Sequence, residues 1–268
     1  MRLLVAVACA LLANLAGASD LHVVEAVRPI PHQVALFAPG GEFICSGAIV
    51  SESVILTAGQ CVFWTDENLE IRAGIAKLNQ NDDEIQSRVV TKDDRVLHPT
   101  YDIINLANDI AIIKLTEPLK IIEGVVEAAQ LPGDLDGRIN WEGKSVNISG
   151  WGKIGDKEYK TRTDIERSEI KLVDLERCKV VYGHNVVGGN KLCAASHLYK
   201  HPCTGESGSP VTIHREGRPL LLGLVSFGSP KGCHEEYPAV STRLTAYLDF
   251  IEKHTGLSAS KKMKKEEL

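Results

Sequence analysis

Cys203-Thr204-Gly205-Glu206-Ser207-Gly208-Ser209-Pro210 sets one serine among small residues at a turn, and it is the last of three segments that decide the fold. Leu56-Thr57-Ala58-Gly59-Gln60-Cys61 precedes it, followed by Asn108-Asp109-Ile110-Ala111. An ordered set of motifs is far more specific than any single one. Around them the chain runs as apolar segments of strand length, residues 47–56, 109–115, 145–148 and 220–227, each bounded by Gly, Ser, Asn or Pro. That punctuation predicts an all-β barrel or sandwich. From Thr242 onward, Leu244, Tyr247, Leu248 and Ile251 recur at helical spacing and Gly256 supplies a stop, so a single amphipathic helix is expected to close the fold. Residues 132–143, rich in Gly and Asp, are the expected connection between two halves.

The chain has 268 residues, 44% hydrophobic and 24% charged. Arg2, an apolar run from Leu3 to Leu15 and the closing Ala16-Gly17-Ala18 predict a signal peptide over residues 1–18. The expected domain then covers residues 19–257, with halves at about 23–131 and 132–245 plus the helix, and a charged, disordered tail over 258–268. A net charge of −5 argues against a nucleic-acid-binding body, and no other apolar stretch is long enough for a membrane span. Of seven cysteines, Cys9 lies in the leading segment and Cys45, Cys61, Cys178, Cys193, Cys203 and Cys233 remain. Six cysteines in an oxidising compartment suggest three disulfides, with 15 connectivities open.

The three segments resemble the chymotrypsin-like serine proteases, the S1 peptidase family. Lesser landmarks fall in the family order: His98-Pro99-Thr100-Tyr101, Ser149-Gly150-Trp151-Gly152 and Ser226-Phe227-Gly228, over a match from about Pro31 to Gly256. The resemblance implies two packed antiparallel six-stranded β-barrels, the trypsin-like fold, with a C-terminal α-helix. It also implies the pairs Cys45 with Cys61, Cys178 with Cys193 and Cys203 with Cys233. The triad positions become Gln60, Asp109 and Ser207, and the oxyanion hole Gly205 and Ser207. The substrate pocket has His201 on its floor, Ser226 and Gly228 on its wall, and Ala239 where many members carry glycine.

The sequence departs from that pattern where the chemistry is done. The serine mechanism needs a group that takes a proton from the hydroxyl and returns it to the leaving amine, and members of the family have a histidine where this chain has Gln60. An amide has no protonation cycle near neutral pH. In a serine protease of another fold, losing the histidine costs roughly 10⁶-fold in turnover, about 8 kcal/mol. Glu206 replaces the aspartate before the serine, and Ser209 replaces the second glycine of the serine motif. No Lys or Arg lies between the expected signal cut and Val23, so the usual activation cleavage is not encoded. Together these departures predict a secreted, arthropod-type serine protease homologue with a degenerate triad. Such a protein would bind protein or peptide ligands, among them a protease or cascade component, as a cofactor or modulator in immunity, saliva, venom or gut secretion. The alternative is a secreted serine endopeptidase with an unusual base or very low activity.

Three weaker signals complete the reading. Asn147-Ile148-Ser149 is a glycosylation sequon that runs into an expected strand, and Lys265-Glu266-Glu267-Leu268 resembles an endoplasmic-reticulum retrieval signal. Glu70, Asp82, Asp83 and Glu84 lie where some relatives bind calcium, but their spacing defines no site; no metal or cofactor is expected, and neither nucleic acid nor membrane as a partner.

Overall fold

A computed structural model describes residues 27–81, 85–152, 163–195, 206–228 and 237–258. The first half is an antiparallel sheet of β1 (Gln33–Phe37), β2 (Phe43–Ser51), β3 (Val54–Thr57), β4 (Leu69–Ala73), β5 (Gln86–Val90), β6 (Arg95–Leu97) and β7 (Ala111–Lys114). The strands lie in the order β5-β4-β1-β2-β3-β7-β6. The apolar run over 47–56 is two strands, because the Ser51 hydroxyl accepts from the Ser53 amide at 3.3 Å in the turn that pairs Ala48 with Leu56. The two edges of the sheet, β5 and β6, are successive in sequence. Between them the Asp94 carboxylate accepts from the Thr91 amide and hydroxyl at 2.8 and 2.7 Å, bending one edge segment into two strands and giving the sheet its barrel-like course. Val34, Leu36, Ile49, Ile55, Ile71 and Ile113 fill its interior.

The second half is a closed barrel of six strands, β8 (Ser145–Gly150), β9 (Glu166–Val173), β10 (Lys191–Ala195), β11 (Pro210–Arg215), β12 (Arg218–Phe227) and β13 (Ala239–Arg243). Its core is Val146, Ile148, Ile170, Leu172, Val211 and Val225. A two-residue loop joins β11 to β12, and both Glu216 (φ 52°) and Gly217 (φ 77°) take the left-handed conformation that the twist of a tight hairpin requires. Asn147 lies inside β8, half-buried and in register with both Glu169 and Thr212. In the connection over 132–143, Asp136 is buried and paired with Arg215 at 2.6 Å.

The architecture is therefore the all-β one expected, with two barrel-like sheets and a closing helix. That helix, α3 (Leu248–Thr255), buries Phe250 and Ile251 and ends at the left-handed Gly256, whose amide donates to Glu252 at 2.8 Å. It begins later than the periodicity suggested, since Thr242 and Arg243 belong to β13. Two further helices escaped the sequence reading. The single turn α1 (Gln60–Phe63) carries Cys61, disulfide-bonded to Cys45 of β2. In α2 (Leu175–Tyr182) only Cys178 is fully buried, with Leu175 and Tyr182 packed half-buried on the same cluster; its N-cap, Asp174, accepts from the Glu176 amide at 2.9 Å. Cys178 is disulfide-bonded to Cys193 of β10, whereas Cys203 and Cys233 lie outside the described residues. No described helix is long and apolar enough to cross a membrane.

The halves join through polar and apolar contacts together. The buried Gln33 amide of β1 donates to the Ser149 carbonyl of β8 at 2.9 Å, and the Trp151 indole donates to the Ala76 carbonyl at 3.2 Å. Leu56 and Ile112 of the first half share a cluster with Leu221, Leu224 and Ile251.

Just before β1, His32 is 5% exposed, and burial, helped by Arg167 and His214, pulls its pKa down to about 4. The folded chain thus refuses a proton that the unfolded chain accepts. His32 imposes no penalty above pH 6.5, and stability is lost as the pH falls from 6.5 to 4, by about 3 kcal/mol in full. Urea midpoints measured across that window are expected to fall less steeply in His32→Asn than in the parent chain.

Candidate active site

The serine turn is pinned to both halves. The Ser207 carbonyl accepts from the Ser46 amide of β2 at 2.9 Å, while the Gly208 amide donates to the Val225 carbonyl of β12 at 2.8 Å. Gly208 has φ 80°, and a Cβ there would lie 2.1 Å from the Ser46 carbonyl oxygen and 2.4 Å from the Thr57 hydroxyl. Only glycine fits, in conformation and in space. The turn leaves Ser207 half-buried at the junction.

Asp109, just ahead of β7, is completely buried. Its Oδ1 accepts from the Gln60 backbone amide at 2.9 Å, and its Oδ2 accepts from Gln60 Nε2 at 2.8 Å and from Ser226 Oγ at 2.6 Å. Thr242 Oγ1 of β13 donates to the Asp109 carbonyl at 2.8 Å. The preceding Asn108 sits at φ 52° and is held there by its own side chain, which donates to the Thr100 carbonyl at 2.9 Å and accepts from the Tyr247 hydroxyl at 3.0 Å. Ser226 falls at an irregularity of the β12–β13 ladder, between the paired Val225 and Phe227. Such a bulge re-aims a side chain, and here it turns both polar groups of Ser226 to the site.

Gln60 opens α1, and both hydrogens of its side-chain amide are engaged, one by Asp109 Oδ2 and the other by the Ser226 carbonyl at 2.7 Å. Ser207 Oγ donates to the same carbonyl, at 3.5 Å. Burial, with Asp109 and Asp102 behind it, raises the Tyr101 phenol above its usual range and keeps it neutral. One member of this network was not singled out in the sequence. Lys191, the first residue of β10 and 3% exposed, donates through Nζ to the Leu106 carbonyl at 2.7 Å and to Ser226 Oγ at 3.3 Å. No local sequence signal marked it, since the burial of all five β10 residues emerges only from the folded structure.

Gln60, Asp109, Ser207 and Ser226 thus come together from four distant segments, with the order of the first three along the chain being that of a protease triad. A family model described as Trypsin matches residues 24–251. The chain belongs to the trypsin family. It is similar to a chymotrypsin of Phaedon cochleariae, 29% identical over 228 residues that cover 84% of this chain and 78% of the relative. Brachyurin of Leptuca pugilator is 30% identical over 236 residues, covering 88% and 98%. Serine protease 1 of Drosophila melanogaster is 29% identical over 231 residues, covering 85% and 82%.

The other positions marked out by the trypsin-family resemblance are spread more widely. Gly228 follows β12 and is exposed, while Ala239 opens β13, buried and in register with Ala194 of β10. Gly205 and His201 lie outside the described residues, as do Asp82, Asp83 and Glu84; Glu70 is paired with Arg72 at 2.8 Å. The Glu206 side chain lies against Gly152, where a Cβ would come within 2.4 Å of Glu206 Cγ. Ser209 is fully buried, and its hydroxyl has no partner among the described residues.

Neighbouring positions in this turn should therefore respond in opposite ways. Gly208→Ala is expected to lower unfolding stability by about 3 kcal/mol or more through clash and strain. Ser209→Ala, which removes an unsatisfied hydroxyl, is expected to raise it by about 1 kcal/mol. Chemical denaturation of the two variants beside the parent chain checks both.

Proposed function

We propose that this trypsin-family protein is secreted and binds proteins or peptides without cleaving them, with a protease or another component of a proteolytic cascade as its partner class. The observation that carries the reading is the state of the Gln60 amide, which spends both hydrogens on Asp109 Oδ2 and the Ser226 carbonyl. A general base must present a lone pair of suitable basicity to the nucleophile, and an amide nitrogen has none. The Ser207 hydroxyl is directed instead to a backbone carbonyl, which cannot carry the proton onward. The disulfides Cys45–Cys61 and Cys178–Cys193 suit an oxidising compartment, as does the signal-like segment at residues 1–18.

Polypeptide is the natural ligand class because the relatives carry the names of proteases, and a cleft that loses its base can keep its shape. One observation favours the second reading, a secreted endopeptidase of very low activity: Asp109 and Ser226 remain hydrogen-bonded at 2.6 Å, and Ser207 remains half-buried at its turn rather than sealed in.

Incubation of the purified chain with peptide libraries, beside its Ser207→Ala variant, separates the readings. Product release is expected to be the same in both and about 10⁶-fold below that of a complete triad. Cleavage that disappears in Ser207→Ala would establish the enzyme instead.

A further inference from the structure

Lys191 joins the site network through the hydroxyl of Ser226. It is in register with Thr242, whose hydroxyl holds the Asp109 carbonyl, so the ladder between β10 and β13 places the lysine beside the buried acid. Its ammonium donates to the Leu106 carbonyl at 2.7 Å and to Ser226 Oγ at 3.3 Å, and that hydroxyl donates onward to Asp109 Oδ2 at 2.6 Å. The ring of Phe227 covers it, with Nζ 5.7 Å from the centroid.

A buried ammonium is costly unless an anion answers it, and the same holds for a buried carboxylate. Burial pulls the Lys191 pKa down to about 8, and Asp109 holds it up against that pull, so the group is charged at neutral pH. Among the described residues, the phenols of Tyr101 and Tyr247 also sense Asp109, and both are kept neutral by burial and by Asp109 itself. They leave the ammonium to answer the carboxylate.

We infer that Lys191 is a positioning residue that neutralises Asp109 through the hydroxyl of Ser226, so that the acid no longer supports a positive charge at position 60. This rests on the reading of the site as non-catalytic and makes the loss twofold. In the serine mechanism the proton leaves the serine hydroxyl for the base, which becomes a cation held by the acid behind it. With an ammonium already facing Asp109, a second cation at position 60 meets like charge. Gln60 removes the base, and Lys191 removes the field that a base would need.

The test compares Gln60→His alone with Gln60→His combined with Lys191→Met and with Lys191→Arg. By NMR titration the introduced imidazole is expected to titrate about one pH unit or more lower with Lys or Arg at position 191 than with Met. Fluorophosphonate labelling of Ser207 at pH 7 is expected to be roughly tenfold faster in the Met variant, one unit corresponding to a factor of ten. Equal titration in all three would overturn the inference, and so would an Arg variant that behaves like Met, which would assign the effect to packing. Lys191→Gln provides the same neutral comparison should Lys191→Met lose the native circular dichroism spectrum. Ser207-dependent peptide cleavage by the unmodified chain would overturn the non-catalytic reading while leaving the imidazole comparison intact, so the two failures are distinct.

Discussion

The Asp109 carboxylate is a full charge with no exposed surface, and such a group persists only where donors surround it. Those donors come from both halves of the molecule: the backbone and side chain of Gln60 from the first, Ser226 from β12 of the second. Its backbone carbonyl is held by Thr242 of β13 in the same way. Meeting the needs of one anion therefore fixes the start of α1 and the bulge in β12, while the backbone of the same residue ties in β13. The serine turn is positioned by the same junction, since its backbone bonds to β2 on one side and β12 on the other.

This dependence explains why the site keeps its shape with glutamine at position 60. What Asp109 requires from that position is two N–H donors, and glutamine supplies both. What catalysis requires is a reversible proton acceptor, which is a different property of the same location. Structural and chemical demands on the residue are separable, so the scaffold can persist while the reaction is lost. The fold alone says nothing about which of the two a given chain has retained.

Much of this was legible in the sequence because it was local. The serine motif, the segment ending in Gln60-Cys61 and the Asn108-Asp109 pair are short contiguous strings whose order points to the fold and whose departures, Gln60 above all, point to the chemistry. The features that escaped depend on long-range geometry. Lys191 meets Leu106, 85 residues away, and Ser226, 35 residues away, and no local pattern links them. The bulge that aims Ser226 appears only when β12 is paired with β13. Helix α2 was missed because its apolar face is short, Leu175, Cys178 and Tyr182 alone, and the split of residues 47–56 into a hairpin depends on the two-residue turn at Glu52 and Ser53 inside an otherwise continuous run.

On the function proposed above, no base activates the Ser207 hydroxyl, whose hydrogen bond among the described residues goes to the Ser226 carbonyl at 3.5 Å. Exposure of the unmodified, purified chain to an excess of a fluorophosphonate probe, followed by mass spectrometry of the peptide containing Ser207, reads that activation directly. Ser207 is expected to remain unmodified over times in which a protease with a complete triad is fully labelled. Labelling at the rate of an ordinary serine protease would contradict the assignment of Gln60 as a structural occupant and would require another group to take the proton.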